Sequence, residues 1–420
     1  MRRPQWLCGL IIWFFAALFY ALDYFQHTAP SVLLKPIAGA MDISTASLGM
    51  AMAIYFPVYA VTQIPAGLLL DRFPLKWVLS CACFIMSLGL LMLAWWPNIA
   101  IVWLSRILVA AGSSFAFLGA LKVADEALPK AFFPIAVGIT NTIGVLGGIF
   151  GQVLLNYGIE HLTWQGALLL VGHIGVILAV ILYWAIRPNE HCHSKQQVVH
   201  YYQPVLNPKA KSYLFKSWQL WALAIYAGVM VGTVVNAFSE LYDVIFLEYT
   251  YQLSAQQAAD VSSMIFVGIA VGGPLHGLIS RGFKSHLHWM RWANISTIIL
   301  FMVVVLFPSI VSVILLPVIY FLLGFFVSSM LLSFTVARNF FKKSVHGTVL
   351  AVINMTIAVS ATIFQYAVGA IAQWINGGDL KTIHHESVFP LSFLVLLIPL
   401  ILSALLLYLL MNRSIKVQQS

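Results

Sequence analysis

Charge is what this chain has least of. Asp, Glu, Lys and Arg together make up 8% of its 420 residues, while 61% are hydrophobic. A water-soluble domain carries roughly 25% charged residues. A chain of mean hydropathy +0.93 cannot cover its surface with polar groups. The scarcity excludes a soluble globular protein and places the chain in a bilayer. Cysteine is scarce as well: Cys8, Cys81 and Cys83 lie in apolar runs and Cys192 in a polar stretch, which implies no disulfide. No Gly-x-x-x-x-Gly-Lys-Ser/Thr phosphate loop occurs, which argues against an ATP-driven machine. No nucleophile–base pair, cofactor fingerprint or metal set stands out, which argues against a membrane enzyme and implies no cofactor.

What the chain has is apolar length. A hydrocarbon core about 30 Å thick takes about 20 apolar residues per helix. On that measure the chain is an all-α polytopic membrane protein. Its twelve spans lie near residues 7–36, 46–70, 75–96, 98–124, 131–154, 164–186, 217–246, 256–280, 288–308, 311–336, 346–374 and 388–411. Membrane β-strands alternate over about ten residues, and these runs are longer and uniformly apolar. The opening "MRRPQWLCGLIIWFF" has the charged start of a signal peptide but no small-residue cleavage site after it, so it reads as an uncleaved first span.

The net formal charge of +9 could suggest a nucleic-acid partner, but its distribution does not. Arg2, Arg3, Arg72, Lys76, Lys130, Arg187, Arg281, Lys284, Arg338, Lys342, Lys343 and Arg413 all fall at the termini or in even-numbered loops. The opposite loops hold little besides Lys35 and Lys381. This positive-inside asymmetry puts both termini in the cytoplasm, in the inner membrane of a bacterial cell, with the lipid bilayer rather than nucleic acid as surroundings. A monomer is expected.

The longest polar stretch, residues 187–216, separates an N-terminal six-helix bundle (1–186) from a C-terminal one (217–420) and reads as a cytoplasmic central loop. Its His191-Cys192-His193 run, with His200, reads as polar linker rather than a metal site. The halves carry a weak repeat. Asn141 and Gln152 in span 5 recur as Asn354 and Gln365 in span 11 at an offset of 213 residues, and Gly67 recurs as Gly277 at 210. Parallel repeats are a transporter plan, with the solute site between the halves near the membrane midplane.

The loop after span 2 reads "GLLLDRFPLK", placing Gly67, Asp71, Arg72, Pro74 and Lys76 in order. It resembles the G-x-x-x-D-R-x-G-x-[RK] signature of the major facilitator superfamily, departing at Pro74, where that family usually has glycine. The second-half counterpart "GLISR" has Arg281 where the acid would stand. "RILVAAG" in span 4, with Arg106 and Gly112, and the glycines of span 5 fit the same family. The resemblance implies transport of a small-molecule substrate by alternating access, through a cavity lined by spans 1, 4, 7 and 10. Physically, Asp71 at the cytoplasmic end of span 2 is placed to meet the N-terminus of span 11, where a carboxylate is stabilised by about 0.3–1 kcal/mol or more. Gly67, Asp71 and Arg72 are therefore the candidate conformational latch.

Ionisable residues inside spans are functional candidates because burying them is costly. Tyr20, Asp23, His27 and Ser31 form one stripe of span 1. Arg106 lies in span 4, with Lys122 near its cytoplasmic end, and Asn236, Glu240 and Asp243 are expected on one face of span 7. At about 1.5 Å per residue, Asp23, His27, Arg106 and Asn236 fall within roughly 10 Å of the midplane, Glu240 farther out and Asp243 near the external surface. An acid and an imidazole one turn apart can take up and release a proton near neutral pH. The competing reading is an Asp23–Arg106 ion pair that only braces helices. The candidate substrate-binding or proton-coupling residues are thus Tyr20, Asp23, His27, Arg106, Asn141, Asn236, Glu240, Asn354 and Gln365.

"YALDYFQHTAPSVLLKPI" and "NAFSELYDVIFL" resemble spans 1 and 7 of the organophosphate–phosphate antiporter branch. His27 and Asn236 stand where that branch has its two phosphate-binding arginines. Without those bidentate donors, and with carboxylates in the cavity, a dianion is disfavoured. The expected solute is a zwitterion such as an amino acid or small peptide, taken up by proton symport. The alternatives are an exporter, a carrier of organic anions, phosphate esters or siderophores, and a transporter-like sensor.

Overall fold

The computed structural model describes residues 5–43, 45–186, 213–283, 285–376 and 388–419. Most of the central loop, with the His-Cys-His run and His200, lies outside the described residues, as do the side chains of Ser31 and Gln152. The described residues contain no strand. Twelve helical spans are long and apolar enough to cross a membrane: Cys8–His27, Ser47–Arg72, Leu75–Trp95, Ile99–Ala127, Lys130–Ile159, Trp164–Ala185, Trp218–Tyr251, Ala255–Gly282, His286–Leu306, Val313–Phe340, Lys343–Ile375 and Val388–Asn412. They are numbered 1 to 12 below.

Span ends follow local chemistry. The Asn98 side chain accepts the Ile101 N–H at 3.0 Å to start span 4, and Thr163 accepts that of Gly166 at 3.1 Å to start span 6. Ser254 and Gln257 form a reciprocal capping box at the start of span 8. Each satisfies donors that a first helical turn leaves open. Large apolar side chains such as Val61, Leu154 and Ile314 stay exposed on the chain, which suits contact with lipid. Cys8 is disulfide-bonded, while Cys81 and Cys83 are free thiols. The cysteine pattern had implied no pairing, but a single bridge is beyond what a count of four excludes.

Four spans are interrupted within their length, span 2 at Ile54, between Thr45–Ala53 and Tyr55–Arg72. Span 4 is interrupted between Ile99–Ser113 and Ala116–Ala127, and span 10 passes through a 3-10 turn at Ser328–Leu331. Both breaks fall at a Ser-Ser pair, Ser113-Ser114 and Ser328-Ser329, 215 residues apart and close to the sequence offset. Span 7 carries a twelve-residue π-helix, Val231–Tyr242, between α-helical Trp218–Met230 and Asp243–Tyr251.

The chain divides into two compact units, Met1–Lys211 with Lys342–Ala351, and Ser212–Phe341 with Val352–Ser420. The first turns of the span 11 helix, His346–Ile375, therefore group with the first unit. In that unit, spans 1 and 5 meet through the small-residue face of span 5. A Cβ at Gly147 would collide with the Ala21 backbone, so only hydrogen permits this approach. Trp13 Nε1 donates to Thr140 Oγ1 at 3.0 Å across the same seam, giving a buried indole its partner.

In the second unit, Phe238 of span 7 packs against Phe301 of span 9 at 5.1 Å, Phe393 of span 12 at 5.0 Å and Tyr320 of span 10 at 5.8 Å between ring centres. Such aromatic pairs each contribute about 0.5–1.5 kcal/mol beyond area burial. Asn294 of span 9 adds a buried hydrogen bond, its Nδ2 donating to Ser403 Oγ of span 12 at 2.7 Å. Interhelical bonds of this kind average about 0.6 kcal/mol in membranes.

Candidate functional site

The first unit gathers Asp23 and His27 of span 1 and Arg106 of span 4 around a residue the sequence reading passed over, Tyr55 of span 2. Tyr55 Oη donates to Asp23 Oδ1 at 3.0 Å, and Ser113 stands beside the same carboxyl. The guanidinium carbon of Arg106 lies 5.4 Å from the centre of the Tyr55 ring, within cation–π range. The His27 ring meets the Tyr55 ring edge-on at 4.7 Å and that of Tyr59 at 5.6 Å. Tyr55 thus touches acid, cation and imidazole together. Tyr20 sits one turn before Asp23, its ring 4.8 Å from Phe117, as wall rather than polar partner.

Arg106 is 5% exposed, and its Nε has no hydrogen-bond partner. Among the described residues no carboxylate lies within ion-pair distance of it. The bracing Asp23–Arg106 pair is therefore not formed: the carboxylate takes the Tyr55 hydroxyl, and the guanidinium takes the Tyr55 ring. Three neutral amides in this unit also lack partners. Asn141 Nδ2 of span 5 is one; the others are Gln26 of span 1 and Gln63 of span 2, each fully buried with both amide atoms unpaired. Gln26 escaped the sequence reading because that reading weighed charges above amides, although it adjoins His27.

The second unit brings Asn236, Glu240 and Gln365 together. Asn236 Nδ2 donates to Glu240 Oε2 at 2.7 Å, and Gln365 Nε2 donates to the Asn236 carbonyl at 3.0 Å. Asn354 is half-buried in span 11. Asp243 departs from expectation: it is fully buried, whereas Glu240 is exposed. The π-helix is the reason, because hydrogen bonding from i to i+5 winds more widely and residues three apart no longer share a face.

Asp71 sits where span 2 ends and caps the helix His346–Ile375. Its Oδ1 accepts the Gly347 N–H at 2.8 Å, and its Oδ2 accepts the Thr348 N–H at 2.7 Å and the Thr348 hydroxyl at 2.8 Å. Lys122 Nζ lies 2.8 Å from Asp71 Oδ1, with both side chains at most 5% exposed. His346 Nδ1 lies 2.6 Å from Asp125 Oδ2 in the same cluster. The approach depends on glycine, since a Cβ at Gly347 would stand 2.8 Å from both Asp71 Oδ1 and the Gly67 carbonyl. Arg72 takes no part; it is exposed, 5.5 Å from its neighbour Phe73.

Asp71→Asn would replace an acceptor for four donors, Lys122 Nζ among them, by an amide whose NH2 faces N–H groups, and would leave Lys122 without its nearest counter-charge. If this cluster is a latch, transport falls at least about tenfold, as loss of one charge-assisted hydrogen bond would produce, while the protein still inserts and elutes as a folded species. Wild-type turnover in that variant would remove the latch reading.

The fold agrees with comparisons to known proteins. The family model "Major Facilitator Superfamily" matches residues 13–364, and the chain belongs to that family. Among similar proteins, the uncharacterized transporter YybO of Bacillus subtilis is 25% identical over 68% of this chain and 69% of its own length. A probable galactarate/D-glucarate transporter of Escherichia coli, GudP, is 23% identical over 90% of each chain, and the hexuronate transporter of the same organism is 22% identical over 86% of each. The solved structure of a bacterial homolog to the human lysosomal transporter Spinster shares the fold, with a TM-score of 0.57 at 17% identity and 96% coverage of both chains. The chain is a secondary transporter of small solutes and not an enzyme.

Proposed function

We propose that the protein carries a small hydroxylated monocarboxylate of the sugar-acid class, coupled to protons, with Arg106 as the carboxylate anchor. The observation that carries this reading is the buried guanidinium without a counter-ion. An uncompensated buried charge costs several kcal/mol, and a solute carboxylate meets a guanidinium in a two-bonded fork. The unpaired amides of Asn141 and Gln26 offer donors and acceptors for hydroxyl groups. Relatives named for galactarate, D-glucarate and hexuronate transport support the sugar-acid class, and of these hexuronate is the monocarboxylate.

The expected amino acid or peptide gives way on physical grounds. That expectation counted Asp23 as free to meet a solute cation, whereas the Asp23 carboxyl is occupied by the Tyr55 hydroxyl and the Arg106 guanidinium has no counter-ion. One guanidinium matches one carboxylate, which favours a hexuronate or aldonate over a diacid. Asp23 and His27 supply the proton-exchanging groups. The basic even-numbered loops support cytoplasmic termini in an inner membrane.

Proteoliposomes with an imposed inward proton gradient test the proposal. Radiolabelled glucuronate or galacturonate is expected to accumulate, and unlabelled amino acids or dipeptides to leave that accumulation unchanged. Uptake of an amino acid with no response to any sugar acid would overturn it.

A further inference from the structure

Asp243 opens the final α-helical stretch of span 7, directly after the π-helix. It is 0% exposed, and neither carboxylate oxygen takes a well-formed hydrogen bond. Among the described residues no lysine, arginine or histidine pairs with it. The Ser239 hydroxyl four residues earlier and that of Ser262 of span 8 stand at hydrogen-bonding range of the carboxyl, beside the backbone N–H groups of Asp243 and Val244, and Tyr320 of span 10 stands within its electrostatic reach. The Ser239 and Tyr320 hydroxyls are buried and likewise take no well-formed hydrogen bond. The Ser262 hydroxyl donates to the Ser239 carbonyl, at 3.5 Å.

The contrast with His276 in the same unit is instructive. That imidazole is also fully buried, yet its Nε2 lies 2.6 Å from the Phe325 carbonyl and its Nδ1 accepts Trp289 Nε1 at 2.7 Å. A buried polar group built only for structure is satisfied in this way. Asp243 and the hydroxyls of Ser239 and Tyr320 are not, and unpaired buried oxygens of this kind are costly. They also adjoin a π segment, a form of helix frequent at functional sites.

Every candidate donor around Asp243 is oxygen, which suits a hard cation rather than a transition metal. One carboxylate balances one positive charge. We propose that Asp243, with the hydroxyls of Ser239, Ser262 and Tyr320, forms a sodium-ion site in the second unit. A proton on Asp243 would neutralise the acid but serve only one hydroxyl oxygen; a sodium ion can engage them all. The site is separate from the Arg106 site, so it stands or falls without the sugar-acid reading.

Thermal unfolding of the purified full-length protein, titrated with NaCl at ionic strength held by choline chloride, reads this site directly. A ligand bound only by the folded state raises stability with its concentration. The expected result is a saturable rise in Tm specific to sodium and absent with potassium, with radiolabelled sodium retained by the protein. Asp243→Asn is expected to abolish both signals, and Ser262→Ala to raise the half-saturating sodium about tenfold, the effect of losing about 1.4 kcal/mol of binding. The proposal is overturned by a wild type indifferent to sodium, by Asp243→Asn keeping the sodium response, or by a wild type that responds to pH alone. Should Asp243→Asn not fold, unchanged half-saturation in both Ser262→Ala and Ser239→Ala overturns it equally.

Discussion

Arg106→Ala is expected to lower sugar-acid uptake at sub-saturating concentration by at least about 100-fold, since each hydrogen bond to a charged group contributes about 1.5–3 kcal/mol and a carboxylate fork contains two. The substitution also removes the cation–π contact with Tyr55, so part of the loss could enter through the position of that ring. Arg106→Lys separates the two effects. Lysine keeps the charge above the ring but offers a point charge in place of a planar fork, and is expected to fall between wild type and alanine with a raised KM. Initial rates against solute concentration, alongside solute-induced thermal shifts, provide the comparison. If the alanine variant transports with wild-type kinetics, the carboxylate is held elsewhere and Arg106 serves packing alone.

The parts of this molecule legible in the sequence are those where one physical demand outweighs everything else. A bilayer requires apolar length, and the twelve spans followed from it, with every end but that of span 1 within about five residues. The contact between Asp71 and the start of span 11 was also legible, because an acid at that motif position needs donors and a helix N-terminus has them to spare. Lys122, placed only near the cytoplasmic end of span 4, turned out to be the other partner of Asp71, 51 residues away in sequence. Nothing local in either segment announces that pairing. Tyr55 was missed because a tyrosine in an apolar run looks like any other wall residue; its role comes from three neighbours on other faces and other spans.

Span 7 shows the opposite failure, where a periodicity argument was applied to a helix that does not keep the period. Nothing in "VGTVVNAFSELY" signals hydrogen bonding from i to i+5. Asp243 was therefore assigned to the face of Glu240 and to the external surface, when it is buried and Glu240 is exposed. The solute expectation failed for a related reason. Counting carboxylates treats each as free, and only the structure shows that Asp23 is bonded to Tyr55 while Arg106 is unpaired.

Asp23→Asn is expected to abolish uphill accumulation while leaving solute exchange across the membrane in place. Asparagine has nearly the shape of the acid and keeps an oxygen at the Oδ1 position, so the Tyr55 hydroxyl can still donate to it and hold its ring between His27 and Arg106. The variant loses the ability to gain and release a proton. Exchange requires binding and conformational change but no net proton transfer, whereas accumulation requires the proton's free energy. At a gradient of one pH unit, coupling to one proton supports about tenfold accumulation, the equivalent of about 1.4 kcal/mol. Proteoliposomes separate the two quantities: counterflow with solute on both sides measures exchange, and uptake under an imposed pH gradient measures coupling. The expected variant shows counterflow near wild type and a solute ratio that settles at one. His27, whose ring contacts Tyr55 rather than the carboxylate, should then modulate the rate of proton exchange without setting the final ratio. If Asp23→Asn still concentrates solute under the gradient, Asp23 is a structural acceptor for Tyr55. The coupling residue would then be sought at Glu240, the exposed carboxylate bonded to Asn236 in the second unit.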